Sequence, residues 1–131
     1  FRAAVEGIAL NLRLIWDALE SKITAEQLVI TGGLASSPVK KQIISDVLGI
    51  RVVNNNHTRD SKLFGAALIA GIGTGLFKDQ EDTRKLIHTE APVEPDPERS
   101  ELYNRILPIF KEGYENLKNT FSKLSKLDQG K

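Results

Sequence analysis

The sequence predicts an α/β domain, a parallel βαβ unit with flanking helices and a helical carboxyl-terminal tail. Three observations lead there. Leu28-Val29-Ile30 and Ile50-Arg51-Val52-Val53 are short β-branched runs, the composition and length of strands. Between them Val39, Ile43, Val47 and Ile44, Leu48 recur at i, i+4, after Ser37-Pro38 and before Gly49. Those flanks are the start and stop signals of a helix. Strand, helix and strand in this order form a crossover, parallel and right-handed.

The remaining elements follow along the chain. Residues 2–19 put Val5, Ile8, Ala9, Leu12, Ile15, Trp16 and Leu19 on one helical face. Glu6 there either faces solvent or pairs with Arg2 or Arg13. The run Leu28–Ile30 lacks alternation, which predicts a strand buried on both faces. Asn54 to Asp60 is polar and turn-prone, hence a loop. Ser61 to Gly71 is a helix of small residues whose lack of bulk predicts close packing against the sheet, and Gly71, Gly73 and Gly75 end it. From Asp79 to Glu101 eight carboxylates face three basic groups, with Pro92, Pro95 and Pro97. This stretch is expected to be solvated, with residues 89–98 as an extended connector. From Glu98 to Leu127 apolar residues return at helical spacing; Pro108 predicts a kink or break, and residues 128–131 are expected to fray. The organisation is thus residues 1–88, a connector 89–98 and a tail 99–131.

Composition narrows the function classes. The 131 residues are 40% apolar and 27% charged, as in an ordinary globular domain. Lys and Arg total 18 against 17 Asp and Glu, which argues against a nucleic-acid binder or an anionic-membrane binder. No cysteine is present, so disulfides, thiolate metal sites and cysteine nucleophiles are excluded, and a reducing, cytoplasmic setting fits. The longest uncharged stretch, Leu63–Phe77, has 15 residues and four glycines, short of the roughly 20 that span a membrane. The chain starts on Phe1 inside a helical pattern and has no methionine; it is expected to be cut from a longer protein.

The best place for chemistry is Thr31-Gly32-Gly33-Leu34-Ala35-Ser36-Ser37, between the first strand and its helix. Ligands of open α/β sheets settle at the carboxyl ends of strands. Glycines permit positive φ and remove the Cβ that keeps a ligand off the backbone, and the next helix offers unpaired N–H groups. An ordinary strand-to-helix turn, with Ser37 as its N-cap, explains the same residues. Gly71-Ile72-Gly73-Thr74-Gly75 follows a helix and reads as its exit, not as a dinucleotide fingerprint. His57 and His88 lack a second ligand at metal spacing. His57 with Asp60 has no accompanying nucleophile, so a solvated loop is the simpler reading.

Several motifs together resemble the FGGY carbohydrate kinases. They are Arg2-Ala3-Ala4-Val5-Glu6-Gly7-Ile8-Ala9, Thr31 to Pro38, Gln42, Ser45-Asp46-Val47-Leu48-Gly49, and Asp60 five residues before Gly65-Ala66-Ala67. Their order is similar to the carboxyl-terminal half of that family's second domain, over residues 1–88. The tail with Val93-Glu94-Pro95-Asp96-Pro97 and Tyr103 resembles the ends of bacterial gluconate and xylulose kinases, and residues 6–12 lean toward the gluconate kinases.

The resemblance implies part of an actin-like, ribonuclease-H-like ATPase domain from an ATP-dependent sugar kinase. ATP would lie between two domains, with Mg²⁺ bridging its phosphates. Gly32 and Gly33 would approach the adenosine, Ser37 would contact it, and the Gly65-Ala66-Ala67 helix would back the site. The acceptor would be a sugar or sugar acid, most closely gluconate, with xylulose the alternative. Lys40 stands where many members have tryptophan, Asp60 where glutamate is frequent, and Ser37 where many carry asparagine. The catalytic aspartate, the phosphate hairpins and the sugar site are expected upstream of Phe1; no catalytic residue and no protein metal ligand is assigned to this chain. Alone it is expected to be inactive and prone to self-association, because two strands make a marginal sheet. A rival from another class is a non-catalytic interaction module that docks a partner through the small-residue helix and the tail.

Overall fold

The computed structural model describes residues 1–20, 25–57 and 60–128. Thr58 and Arg59 of the expected loop lie outside the described residues, as do residues 129–131 of the expected frayed end. Helix α1 spans Arg2–Glu20, strand β1 Gln27–Ile30, helix α2 Pro38–Leu48 and strand β2 Arg51–Asn54. Helices α3 (Ser61–Gly73), α4 (Gln80–Arg84) and α5 (Pro97–Asp128) follow. The two strands pair in parallel, Leu28 opposite Val52 and Ile30 opposite Asn54, as the crossover pattern predicts.

Helix α2 is the centre of the fold, packed on α1, β2 and α5 at once. Its Ile43, Ile44, Val47 and Leu48 meet Val5, Ala9 and Leu10 of α1, Val52 of β2 and Tyr103 of α5 in one buried cluster. Burying a side chain such as Ile44 is worth roughly 1.5–3 kcal/mol. Gly49 ends the helix at φ +69°, its N–H bonded to Ser45 O at 2.8 Å, a backbone conformation that favours glycine.

The burial of β1 is a correction. Val29 is 50% exposed, whereas Val52, Val53 and Asn54 of β2 are buried. The cause is position: β2 is the inner strand. On its second edge the segment after α4 returns antiparallel, with Val52 and Val93 exchanging N–H···O bonds of 2.9 and 2.8 Å and Asn55 opposite Thr89. Residues 89–96 are therefore extended but docked, and the acidic stretch is not simply solvated. Part of it forms α4, capped by Asp79.

The tail is tied down by side chains that no local pattern marks. Asp46, fully buried, accepts from Gln42 Nε2 at 2.7 Å, from the Asp96 N–H at 2.8 Å and from Arg99 Nη1 at 3.4 Å. Asp96 in turn accepts the Arg99 N–H at 3.1 Å, which caps α5 just before Pro97. Tyr103 donates its hydroxyl to Glu6 at 2.7 Å, and Arg2 bonds the same carboxylate at 2.9 Å. Glu6 thus pairs with Arg2, while Arg13 pairs with Asp17 and donates to Val47 O. The Tyr103 hydroxyl, then Arg2, hold the Glu6 carboxyl below the usual range. Burial, then Glu6, push the Tyr103 phenol up.

Two further points differ. Of the kink or break expected at Pro108, the break does not occur, since α5 runs through it; Tyr103, Ile106, Leu107 and Phe110 anchor the helix on both sides of the missing N–H. Helix α3 does not pack on the sheet. Leu63 and Ile69 are 73% and 74% exposed, and Gly71 is its only buried residue. Contacts at its two ends hold it instead: His57 stacks on Phe64 with ring centroids 3.5 Å apart. The Phe77 ring lies against Gly71, where a Cβ would come within 2.6 Å of it.

Candidate functional site

Both strands deliver their carboxyl ends to the same side of the molecule, and the turn after β1 forms part of the surface there. Thr31 is extended, Gly32–Leu34 make one 3₁₀ turn, and Ala35 is buried. Gly32 has φ +73°, so its conformation requires glycine. Gly33 does not have positive φ, and a Cβ built on it meets nothing within 4 Å. Among the described residues nothing gives a reason for glycine at position 33. The expected freedom of two glycines is used by one.

Ser37 departs from the expected cap. It occupies the N-cap position of α2 with extended backbone (φ −125°, ψ 122°) but makes no side-chain cap hydrogen bond. Only its carbonyl serves the helix, accepting the Lys41 N–H at 3.0 Å. Ser36 bonds inward, Oγ to Gly33 O at 2.9 Å, and Lys40 Nζ reaches the same carbonyl at 3.4 Å. Pro38, with no N–H to satisfy, starts the helix without a cap at its first position.

Two clefts flank this turn. The larger, about 440 Å³, is lined by Ala35, Ser36, Pro38 and Lys41 from the turn and α2, by Asn54, Asn55, Asn56 and His57 from the end of β2 onward, and by Asp60 and Glu90. The smaller, about 360 Å³, is lined by Gly32, Asp60, Ser61, Lys62 and Leu63. Gly32 therefore faces a cleft. Gly33 is exposed and Ser37 half-buried, and neither lines a cleft, although their chain neighbours Gly32, Ser36 and Pro38 do. The Gly65-Ala66-Ala67 segment lines neither cleft.

Sequence reasoning missed Lys41, Asn54 and Glu90. Asn54 is buried at the end of β2 and accepts from Lys41 Nζ at 2.8 Å. The run Asn54-Asn55-Asn56 after the second strand was a usable signal, since it sits where ligands collect in α/β sheets. Glu90 had none: it arrives through the return of residues 89–96 along β2, its N–H bonded to Asn54 O at 2.8 Å.

The chemistry on offer is a backbone open to close approach, amides, an imidazole, two lysines and two carboxylates. No group of three or more His, Cys, Asp or Glu is arranged to hold a metal among the described residues. Among them, too, no helix is long and apolar enough to cross a membrane.

Comparison with known proteins bears on the same region. Residues 1–74 match the FGGY family of carbohydrate kinases, C-terminal domain. The chain is 34% identical over 106 residues to a glycerol kinase of Rhodopirellula baltica, covering 79% of this chain and 20% of that protein. It is 36% identical over 108 residues to the autoinducer-2 kinase of Escherichia coli K12, again covering 79% and 20%. The chain thus spans about a fifth of the curated relatives it matches. Among solved structures, a gluconate kinase from Lactobacillus acidophilus superposes with a TM-score of 0.81 at 21% identity, over 94% of this chain and 25% of that one. A xylulose kinase from Rhodospirillum rubrum gives 0.72 at 29% identity, over 92% and 25%. The α/β architecture is accordingly that of the actin-like ATPase fold. By its matching residues and its fold, this chain belongs to the FGGY family of carbohydrate kinases, to the part described as the C-terminal domain.

Proposed function

We propose that the chain forms the nucleotide side of a larger ATP-dependent carbohydrate kinase, with the adenosine of ATP resting on the Gly32–Ser37 turn. The observation that supports this best is Gly33. Its backbone is ordinary, its Cβ position is open, and it is exposed on a turn whose Gly32 lines one cleft and whose Ala35 and Ser36 line another. A glycine that folding does not need is explained by a ligand that comes close to its backbone. Ser37, freed from capping duty, has a hydroxyl available to hydrogen-bond the nucleoside.

In this reading ATP supplies the γ-phosphoryl group and Mg²⁺ neutralises its phosphates. The groups that activate the acceptor hydroxyl belong to the rest of the enzyme, in the cytoplasm. Gluconate is the acceptor proposed first, on the strength of residues 6–12; the relatives named for glycerol, autoinducer-2 and xylulose set the panel to try beside it. A coupled assay of the complete kinase across that panel tests the activity, and turnover of none of them with ATP and Mg²⁺ would count against it. The 131 residues alone are expected to give no turnover. Titration of the chain with ATP and Mg²⁺ under NMR should shift Gly32, Gly33 and Ser37; shifts confined to residues 100–127 would favour a docking module instead.

A further inference from the structure

We propose that Asp60 reads the ribose of the nucleotide, and so fixes which way the nucleotide lies, an inference that rests on the nucleotide reading of the Gly32–Ser37 turn. Among the described residues, Asp60 is the one that lines both clefts flanking the turn, with Gly32 in one and with Ala35 and Ser36 in the other. A nucleoside resting on the Gly32–Ser37 turn and entering either cleft meets Asp60 in its lining.

The Asp60 side chain is also not spent on its own helix. It occupies the N-cap position of α3, yet it makes no side-chain cap bond, and only its carbonyl serves the helix, accepting the Phe64 N–H at 2.8 Å. Asp79 shows how the same residue type behaves as a working cap. At the head of α4 it accepts from the Glu81 and Asp82 N–H groups at 3.0 and 3.2 Å.

Charge then selects the ligand group. In the larger cleft the two carboxylates, Asp60 and Glu90, outnumber the one ammonium, Lys41, which is held on Asn54 at 2.8 Å. Carboxylates repel a triphosphate and accept hydrogen bonds from hydroxyls. The part of ATP that supplies two adjacent hydroxyl donors is the ribose. The nucleoside end therefore lies at Asp60, with the triphosphate directed away from Asp60 and Glu90.

The test uses the complete kinase and compares KM for ATP, 2′-deoxy-ATP and 3′-deoxy-ATP. A hydrogen bond to a charged acceptor should make at least one deoxy nucleotide worse by roughly tenfold in the unaltered enzyme. Asp60→Asn should raise KM for ATP by a similar factor, bring the deoxy ratio toward one, and leave the sugar KM and the melting temperature unchanged. Asp60→Glu should recover part of the discrimination. An unaltered enzyme that uses all three nucleotides equally, or an Asp60→Asn enzyme with an unchanged deoxy ratio, would overturn the proposal. Gly33→Val separates the two levels of failure. If it raises KM for ATP while Asp60→Asn leaves the deoxy ratio alone, the ribose assignment alone is wrong. If neither substitution moves KM for ATP, the nucleotide reading of the turn fails, and the ribose assignment with it.

Discussion

Two aspartates divide the molecule. Asp46 is buried where α2 meets the tail, and the chain itself answers it with three donors, Gln42, the Asp96 N–H and Arg99. Asp60 stands at the strand ends, exposed, with its side chain making no cap bond. The contrast marks where folding stops determining residue choice. Around Asp46 each polar group explains a neighbour's position, and removing one leaves others unpaired. Around Asp60, as at Gly33 and the Ser37 hydroxyl, the described chain gains nothing visible from the residue it carries. The proposed nucleotide would explain such residues.

The strongest test of this contrast replaces each aspartate by alanine in the complete kinase and follows unfolding. Asp46→Ala should cost about 3 kcal/mol, since buried donors lose a charged acceptor, with KM for ATP unchanged while the protein is folded. Asp60→Ala should cost less than about 0.5 kcal/mol, as for an ordinary surface residue. Equal losses would erase the distinction. Next in size is Tyr103→Phe, which deletes the 2.7 Å bond to Glu6 and should cost about 1.5 kcal/mol at neutral pH. Gly32→Ala should cost about 1 kcal/mol through its positive φ, measured the same way, while Gly33→Ala should leave stability as it was.

The smallest effect is one of pH. Glu6 is held below the ordinary carboxylate range by Tyr103 and Arg2. Its contribution is complete above the unfolded-state value and is lost as pH falls through the folded one, in the acid range below about pH 4. Tyr103 is shifted upward, so its contribution holds below about pH 10 and is lost as pH rises through the folded value. Glu6→Gln should flatten the acid limb of an unfolding titration; an identical acid limb would contradict the assignment.

The elements set by local chemistry were legible in the sequence. Helix α2 lies between Ser37-Pro38 and Gly49, and both strands were found to within a residue or two. What escaped depends on contacts between distant residues. Val93 reaches Val52, and Asp96 reaches Asp46, across 41 and 50 residues. Nothing local announces a connector that completes a sheet edge. The same docking brought Glu90 into the cleft unannounced. Small residues in α3 suggested packing, but size states only that close approach is possible, and no element of the described chain makes that approach. Ser37 looked like a cap by residue type and position; its hydroxyl makes no cap bond.

Whether a nucleotide explains Gly33 is decided by Gly33→Val in the complete kinase, with KM for ATP, KM for the sugar and the melting temperature measured together. The valine Cβ meets no atom of the described residues within 4 Å, so the melting temperature should stay where it was. It should meet the adenosine when ATP binds, raising KM for ATP by about tenfold or more, equivalent to about 1.4 kcal/mol, with the sugar KM unchanged. A fully folded variant with an unaltered KM for ATP would contradict the nucleotide reading of the turn.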